Sequence, residues 1–508
     1  MSTVNAREAT LNSLINFSLL IPIATIVTAL SCRTAQVSNQ DTQLKDSPQD
    51  QAALQGFHTY CVPCHANFGQ AATIHDNAEQ IKQVITSGAM PKAGSPQRAQ
   101  FAQHPETKAL MLSFLNGPAT PPPTDLPLGD IHLPPGFKIS LFAKVPRARS
   151  LAVDSCEGGQ AIVWVGTGGF TAPDTKVYGV IPDPSHTFAK TVKLMGQNFQ
   201  NPNGVTVIPG TDTLFVAEPD QIIKYSTAKQ LLLNDQPLGT GTPVVSNIPI
   251  SGGTPLQKDH FWKYIRYNAT DDRLYYSLGS YSNVQKRDGN FATIMRVKAN
   301  GTAKEVYAKG VRNSVGFDWN PTTSDFWFTE NGRDGLGDNV PADELNRLTS
   351  LGEDFGFAYC HAGDIPDPSP TIRESKTCSQ ATAPQMKLTA HTAALGMRFY
   401  WNNDQVSKLT QTIPSIFTTT FPAQYRGQIF IAEHGSWNSS VPVGARVTWV
   451  RLSPDGKTAL AYEPFATGFQ SPNGTRWGRP VDVAPYCDGS LLVSDDKAGA
   501  IYRIYYQP

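Results

Sequence analysis

Residues 61–65 of the 508-residue chain read Cys-Val-Pro-Cys-His. Thiols at this spacing can form thioethers to the vinyl groups of a haem, and the histidine that follows is placed to ligate the iron. A thioredoxin-like redox pair or half of a zinc site would use the same thiols. Neither requires His65, and no second cysteine pair lies nearby. Met90, 25 residues beyond His65 in Gly-Ala-Met-Pro-Lys-Ala-Gly, can offer a thioether to the opposite face of the iron. His58, His75, His104 and Met111 compete for that position. A second group of interest is Asp259-His260. An imidazole titrating near neutrality can accept a proton, and an adjacent carboxylate can orient it. Taken alone, such a pair reads as a satisfied loop contact.

Each group needs elements to hold it. After Met90, the run His-Pro-Glu-Thr-Lys-Ala-Leu-Met-Leu-Ser-Phe-Leu-Asn-Gly predicts a short packed helix carrying Ala109, Leu110, Leu112, Phe114 and Leu115. Residues 51–117 resemble a class I cytochrome c. Residues 118–130 are proline-rich, which predicts a semi-rigid spacer and a domain boundary. From Leu151 onward a strand, a Gly/Asp/Asn turn, a second apolar strand, a loop and a third strand recur. Starts near 151, 204, 263, 314, 395 and 481 give intervals of 53, 59, 51, 81 and 85 residues. Alternating β-branched and aromatic residues with turn punctuation are the mark of antiparallel sheets. Repeated small sheets predict a six-bladed β-propeller over 131–508, mainly β, behind a small all-α unit. The long insertions of the fourth and fifth repeats are expected on one face.

The first 31 residues carry an apolar stretch, Ile15–Leu30, without charge, as a signal peptide would. Small residues before Cys32 resemble a lipoprotein processing site, so lipidation of Cys32 and a membrane tether through the polar segment 32–50 are expected. The alternatives are an ordinary secretory peptide and an uncleaved anchor. Either processed form predicts export to the periplasm or the outer membrane. Lys plus Arg equals Asp plus Glu at 42 each, so the chain lacks the basic excess of a nucleic-acid binder.

The segments 310–346, 353–363, 391–400, 432–438, 477–484 and 494–504 resemble the quinoprotein sugar dehydrogenases, six-bladed enzymes that use pyrroloquinoline quinone (PQQ). The L-sorbosone dehydrogenase-like branch is nearest, and soluble glucose dehydrogenases share shorter pieces. The resemblance implies His260 as general base with Asp259 beside it. It implies Arg312 and Asn313 against PQQ, with Arg312 stabilising the reduced quinone. Arg479 matches the first of two clamp arginines; the second falls at Val481 and is absent. A family lysine falls near Glu433-His434, so His434 is a candidate PQQ contact, as are Asp496 and Lys497. Asn203 sits on the substrate side. Trp437 stacks on the quinone or on a sugar, or packs. The stretch Asn331-Gly332-Arg333 implies backbone carbonyls of Gly332 and Arg333 for Ca²⁺, with Asp334, Asp338, Asp343 and Glu344 nearby. Cys360 and Cys378 bracket an insertion and are expected to bond in an oxidising compartment. Cys156 and Cys487 occupy equivalent turns of the first and last repeats, where a bond is conceivable. The resulting expectation is a quinohaemoprotein dehydrogenase that oxidises a sugar or sugar aldehyde with PQQ and passes electrons through haem c to an external acceptor. A cytochrome-fused propeller that binds or transfers electrons without dehydrogenase chemistry is the competing expectation.

Overall fold

The computed structural model describes residues 124–508 except 157–160, 170–173, 184, 251–259, 374 and 413–418, together with scattered helical positions between 55 and 111. Cys32, Cys61, Cys64, His65, Met90 and Asp259 lie outside the described residues. The chain divides into two compact units, Met1–Thr120 and Pro121–Pro508. In the first, the helical positions bury Phe57, Tyr60, Ile81, Ile85, Phe101 and Met111, with Tyr60 against Phe101 at 5.0 Å between ring centres.

Among the described residues, the second unit consists of six four-stranded antiparallel sheets, plus one two-stranded ribbon. The inner strands are Ala148–Val153, Gly204–Val207, Ile265–Asn268, Phe317–Trp319, Ala394–Phe399 and Pro480–Pro485. Each begins within three residues of the start expected from the repeat. Burial explains the sequence pattern. The second strands Val163–Thr167, Leu214–Ala217, Phe326–Glu330, Ile429–Glu433 and Leu491–Asp495 are buried at every position, because neighbouring blades cover both faces. The outer strand Ala189–Gly196 alternates exposed and half-buried residues, as a strand wet on one side must.

Closure uses a strand that precedes the first repeat. Phe137–Lys144 pairs with Ala500–Tyr506, from Phe137 opposite Tyr506 to Lys144 opposite Ala500, and completes the sixth blade from the other end of the chain. Beside this seam Cys156 bonds to Cys487 across the first and last blades, with 5.2 Å between Cα atoms. Cys360 bonds to Cys378 in the insertion of the fourth blade. Leu126 and Leu128, within the proline-rich run, pack on the core of the closing blade. The Cys156–Cys487 bond closes a loop of 331 residues. Replacing both cysteines by alanine is expected to cost about 2–4 kcal/mol, because the cross-link restricts the unfolded chain. Thermal unfolding under non-reducing conditions checks this.

The two long insertions do not share a face. Residues 349–385 of the fourth blade fold back to the end where the inner strands begin: Ala362 N–H donates to Glu344 at 2.8 Å, and Asp367 meets Arg333. The described residues of the 400–428 insertion of the fifth blade lie at the opposite end. There Tyr400 Oη bonds to Gly489 O and Asn402 donates to Pro321 O at 3.3 Å, both in turns that follow inner strands. The 400–428 insertion links the first and second strands of its blade, and that connection is made where inner strands end.

The middle of the channel is plugged. Arg398 reaches Asp482 at 3.4 Å, Leu151 O at 3.3 Å and the Tyr264 hydroxyl, tying the fifth blade to the sixth, first and third. Arg266 pairs with Asp318 at 3.0 Å below it. Beyond this plug, a cavity of about 410 Å³ opens at the far mouth, lined by Arg266, Trp319, Asn320, Trp401 and Gln405 among others.

Candidate active site

In every blade the inner strand runs away from one end of the channel and the second strand returns to it. The pairings of Gly204 with Ala217, Phe317 with Phe328 and Pro480 with Asp495 show this register. Residues just before inner strands and just after second strands therefore collect at one mouth. These are Arg149 (the second residue of its strand), Asn203, Trp262, Arg312 and Arg479 on the incoming side. Gly168, Ser280, Asn331, His434 and Asp496 stand on the returning side. Five of the expected site residues, Asn203, Arg312, His434, Arg479 and Asp496, belong to this set.

His260 stands at this mouth with a left-handed backbone, φ +56°. Its Nδ1 lies 2.9 Å from Ser280 O and 3.0 Å from Ser280 Oγ. A carbonyl oxygen only accepts, so Nδ1 carries the hydrogen and Nε2 carries the lone pair. Burial first, and the nearby Arg312 charge second, hold the imidazole well below the usual histidine range, while the Ser280 bond opposes them. His260 is thus neutral at pH 7. Gly279 makes this position possible: a Cβ there would lie 2.6 Å from His260 Cβ. Gly279→Ala should displace the ring; were His260 the base of a reaction at this mouth, kcat/KM would fall about 10²-fold, the typical cost of misplacing a reacting group by an ångström. Steady-state kinetics beside an unchanged circular dichroism spectrum checks this.

Arg312 is buried and fixed in direction. Nε donates to Asn283 O at 2.8 Å, Nη2 to Asn283 Oδ1 at 3.0 Å and Nη1 to Asn331 O at 3.2 Å, and Asp334 lies 3.4 Å away. Its backbone N–H donates to Glu330 at 2.6 Å. Burial, then the charge of Glu344, pushes the Glu330 carboxyl well above the ordinary range. Asn313 donates to Asn331 Oδ1 at 3.0 Å.

Across the mouth, Asp496 accepts from His434 Nε2 at 2.9 Å and from Arg149 at 2.6 Å. Arg149 also donates to Asn203 Oδ1 at 2.6 Å and lies 4.1 Å above the Trp262 ring. Burial lowers His434 to about 4 despite Asp496, whose own carboxyl is held well below the usual range by His434 and Arg149. Arg479 donates to the carbonyls of His434 and Gly435, both at 2.9 Å. Burial depresses Arg479, and Arg476 and Arg149 repel its charge. Three guanidinium groups thus crowd this mouth, with Asp496 and Asp334 as their carboxylate partners. A planar polycarboxylate fits such a ring, because its anionic groups would relieve the repulsion.

The Gly332 peptide is oriented by its N–H, which donates to Asp343 at 2.8 Å. Arg333 turns away to Asp367 and to Asp334 O. Among the described residues, no group of three or more His, Cys, Asp or Glu side chains is arranged to hold a metal. A cation at this loop would take backbone carbonyls, as the resemblance implies.

Three further positions have these surroundings. Trp437 is 80% exposed. Lys497 is exposed, and its N–H caps Asp495 at 3.0 Å. Val481, where no clamp arginine is expected, is core, and Arg149 of the first blade brings a guanidinium to Asp496. Sequence reasoning missed Arg149, Trp262, Ser280 and Asn283. The usable signal was position, since Arg149 and Trp262 stand at the start of inner strands as Arg312 and Arg479 do.

Residues 131–507 match the TrAA12-like family model. The chain belongs to the TrAA12-like family. An uncharacterised protein of Borreliella burgdorferi is 30% identical over 383 residues, covering 74% of this chain and 91% of the relative. Among solved structures, the holo PQQ domain of pyranose dehydrogenase from Coprinopsis cinerea superposes with a TM-score of 0.58 at 18% identity, covering 77% of this chain and 99% of that one. A calcium structure of the Trichoderma reesei family AA12 protein gives 0.58 at 19%, covering 74% and 96%. The apo soluble aldose sugar dehydrogenase of Escherichia coli gives 0.50 at 15%, covering 73% and 99%. These likenesses establish the six-bladed fold for the TrAA12-like unit. Among the described residues, no helix is long and apolar enough to cross a membrane.

Proposed function

We propose that this TrAA12-like chain is an exported dehydrogenase that oxidises a sugar or sugar aldehyde with PQQ, anchored by Ca²⁺, and passes the electrons to an external acceptor through a haem bound by Cys61, Cys64, His65 and Met90. The observation that carries this reading is His260: its Nδ1 is committed to Ser280, which leaves Nε2 as a neutral base beside a ring of arginines. PQQ, when bound, supplies an ortho-quinone that accepts hydride from the carbon bearing the hydroxyl.

The residues of the chain do the rest. His260 Nε2 takes the hydroxyl proton as the C–H bond breaks. Arg312, locked by Asn283 and Asn331, holds positive charge at a fixed point of the mouth, where negative charge develops on reduction. Arg149 and Arg479 face carboxylates of the cofactor, and Trp262 offers a flat apolar surface beside them. Carbonyls of Gly332 and Arg333 are the candidates for Ca²⁺. Asn203, held by Arg149, orients the substrate side. An aldehyde substrate reacts as its hydrate, which has a hydroxyl to deprotonate.

The test is a visible spectrum of the oxidised protein, loaded with PQQ and Ca²⁺, during addition of glucose, other aldoses and sorbosone. Haem bands that become reduced only when PQQ and a sugar are both present support the enzyme and the internal electron path. Reduction of a dye but not of haem supports the chemistry without the coupling. Absence of PQQ binding overturns the reading in favour of a binding module.

A further inference from the structure

We propose that Trp437 is a stacking platform for a second sugar ring, so that the substrate of this mouth is the end of an oligosaccharide rather than a free monosaccharide. The proposal rests on the sugar-dehydrogenase reading and goes beyond it in naming the size of the substrate.

Trp437 is 80% exposed, with Val441 of the same loop at 69%. Its loop is nevertheless held rigidly. Arg476 donates to Ser436 O at 2.7 Å, Ser436 Oγ at 3.0 Å and Val443 O at 3.3 Å. Ser436 N–H and Val443 O close the base of the loop at 2.9 Å, and Ser440 N–H reaches Asp338 of the fourth-blade loop at 2.9 Å. Gly435 has φ +96°, and a Cβ there would lie 2.8 Å from Arg476 Nε, so the brace depends on glycine. An exposed indole on a loop held by this many bonds is preorganised for a flat amphipathic partner, which a pyranose ring is. Trp437 follows His434 by three residues, a reach of about 10 Å at most. With the reacting ring at the mouth where His434 stands, the next ring of a chain falls within reach of the indole. Asn438, directly after it, offers an amide to sugar hydroxyls.

Two readouts test this in the full-length protein: KM values for glucose, maltotetraose and cellotetraose in the PQQ-loaded enzyme, and tryptophan emission without cofactor. A tetrasaccharide is expected to have a KM about tenfold below that of glucose, equivalent to about 1.4 kcal/mol. Trp437→Ala should erase that ratio, while Trp437→Phe keeps part of it. Maltotetraose or cellotetraose should blue-shift emission in the native protein but not in Trp437→Phe. If Trp437→Ala changes the KM for glucose and tetrasaccharides equally, or if no tetrasaccharide is preferred, the proposal is overturned while the dehydrogenase reading stands. Slower reduction of a soluble cytochrome by Trp437→Ala, with sugar KM values unmoved, also overturns it and makes the rim an acceptor surface. A blue shift lost in Trp437→Phe, in a protein that oxidises no sugar, supports the platform and ends the dehydrogenase reading.

Discussion

His260→Ala is expected to lower kcat/KM for the oxidised sugar by 10²–10⁴-fold, the usual contribution of a positioned general base. Folding should be unchanged, because the side-chain bonds of His260 go to Ser280, which also bonds to Ser282 O at 2.7 Å. The pH profile adds a second signature. The base must be neutral, and burial holds its folded pKa well below 6.5. Activity should therefore persist as pH falls through the ordinary imidazole range and fail only below it. The linked stability has a definite sign. The unfolded histidine binds a proton near 6.5 that the folded one refuses, so stability is lost as pH falls below that value. His260→Gln should flatten the acid limb of kcat/KM. A limb that stays in place in the variant assigns it to another group.

Arg398→Met should destabilise the propeller by about 3–5 kcal/mol, the range for removing one partner of a buried ion pair, and lower Tm by about 10 °C. Arg398 and Asp482 are both fully enclosed, and Asp482 also accepts the N–H groups of Leu151 and Val483, at 2.9 Å each. Without the guanidinium, the remaining carboxylate must be protonated or stay charged in the core. Burial already raises Asp482, with Arg398 as the first opposing influence. Loss of Arg398 raises its folded pKa further above the unfolded value. The variant's deficit should accordingly shrink as pH falls and grow as pH rises through that folded pKa. Arg398→Met/Asp482→Asn should recover part of the loss, because it removes the unpaired charge. Denaturant unfolding at several pH values measures both. A deficit independent of pH would mean lost packing rather than an orphaned charge.

Much of this protein was legible without coordinates because its elements are local. Strand period, turn residues and repeat spacing located all six inner strands, since a blade's buried strands leave a nearly continuous apolar record. Arg312, Asn203, His434, Arg479 and Asp496 were legible as candidates through the resemblance to the quinoprotein sugar dehydrogenases, and each stands at a strand end, where strands of a propeller converge. Proximity in space carries no such record. The Asp496 contacts with His434 and Arg149 join residues 62 and 347 positions apart. Phe137–Lys144 lacks a repeat of its own, so only ring closure assigns it to the sixth blade. The face taken by the 400–428 insertion followed from which strands it connects. The exposure of Trp437 was equally hidden, because an indole in a loop has the same composition whether it packs or faces water. The sequence determined the strands, the repeat and the candidate chemistry; tertiary structure alone decided which side chains meet, because burial and pairing across hundreds of residues are properties of the closed ring.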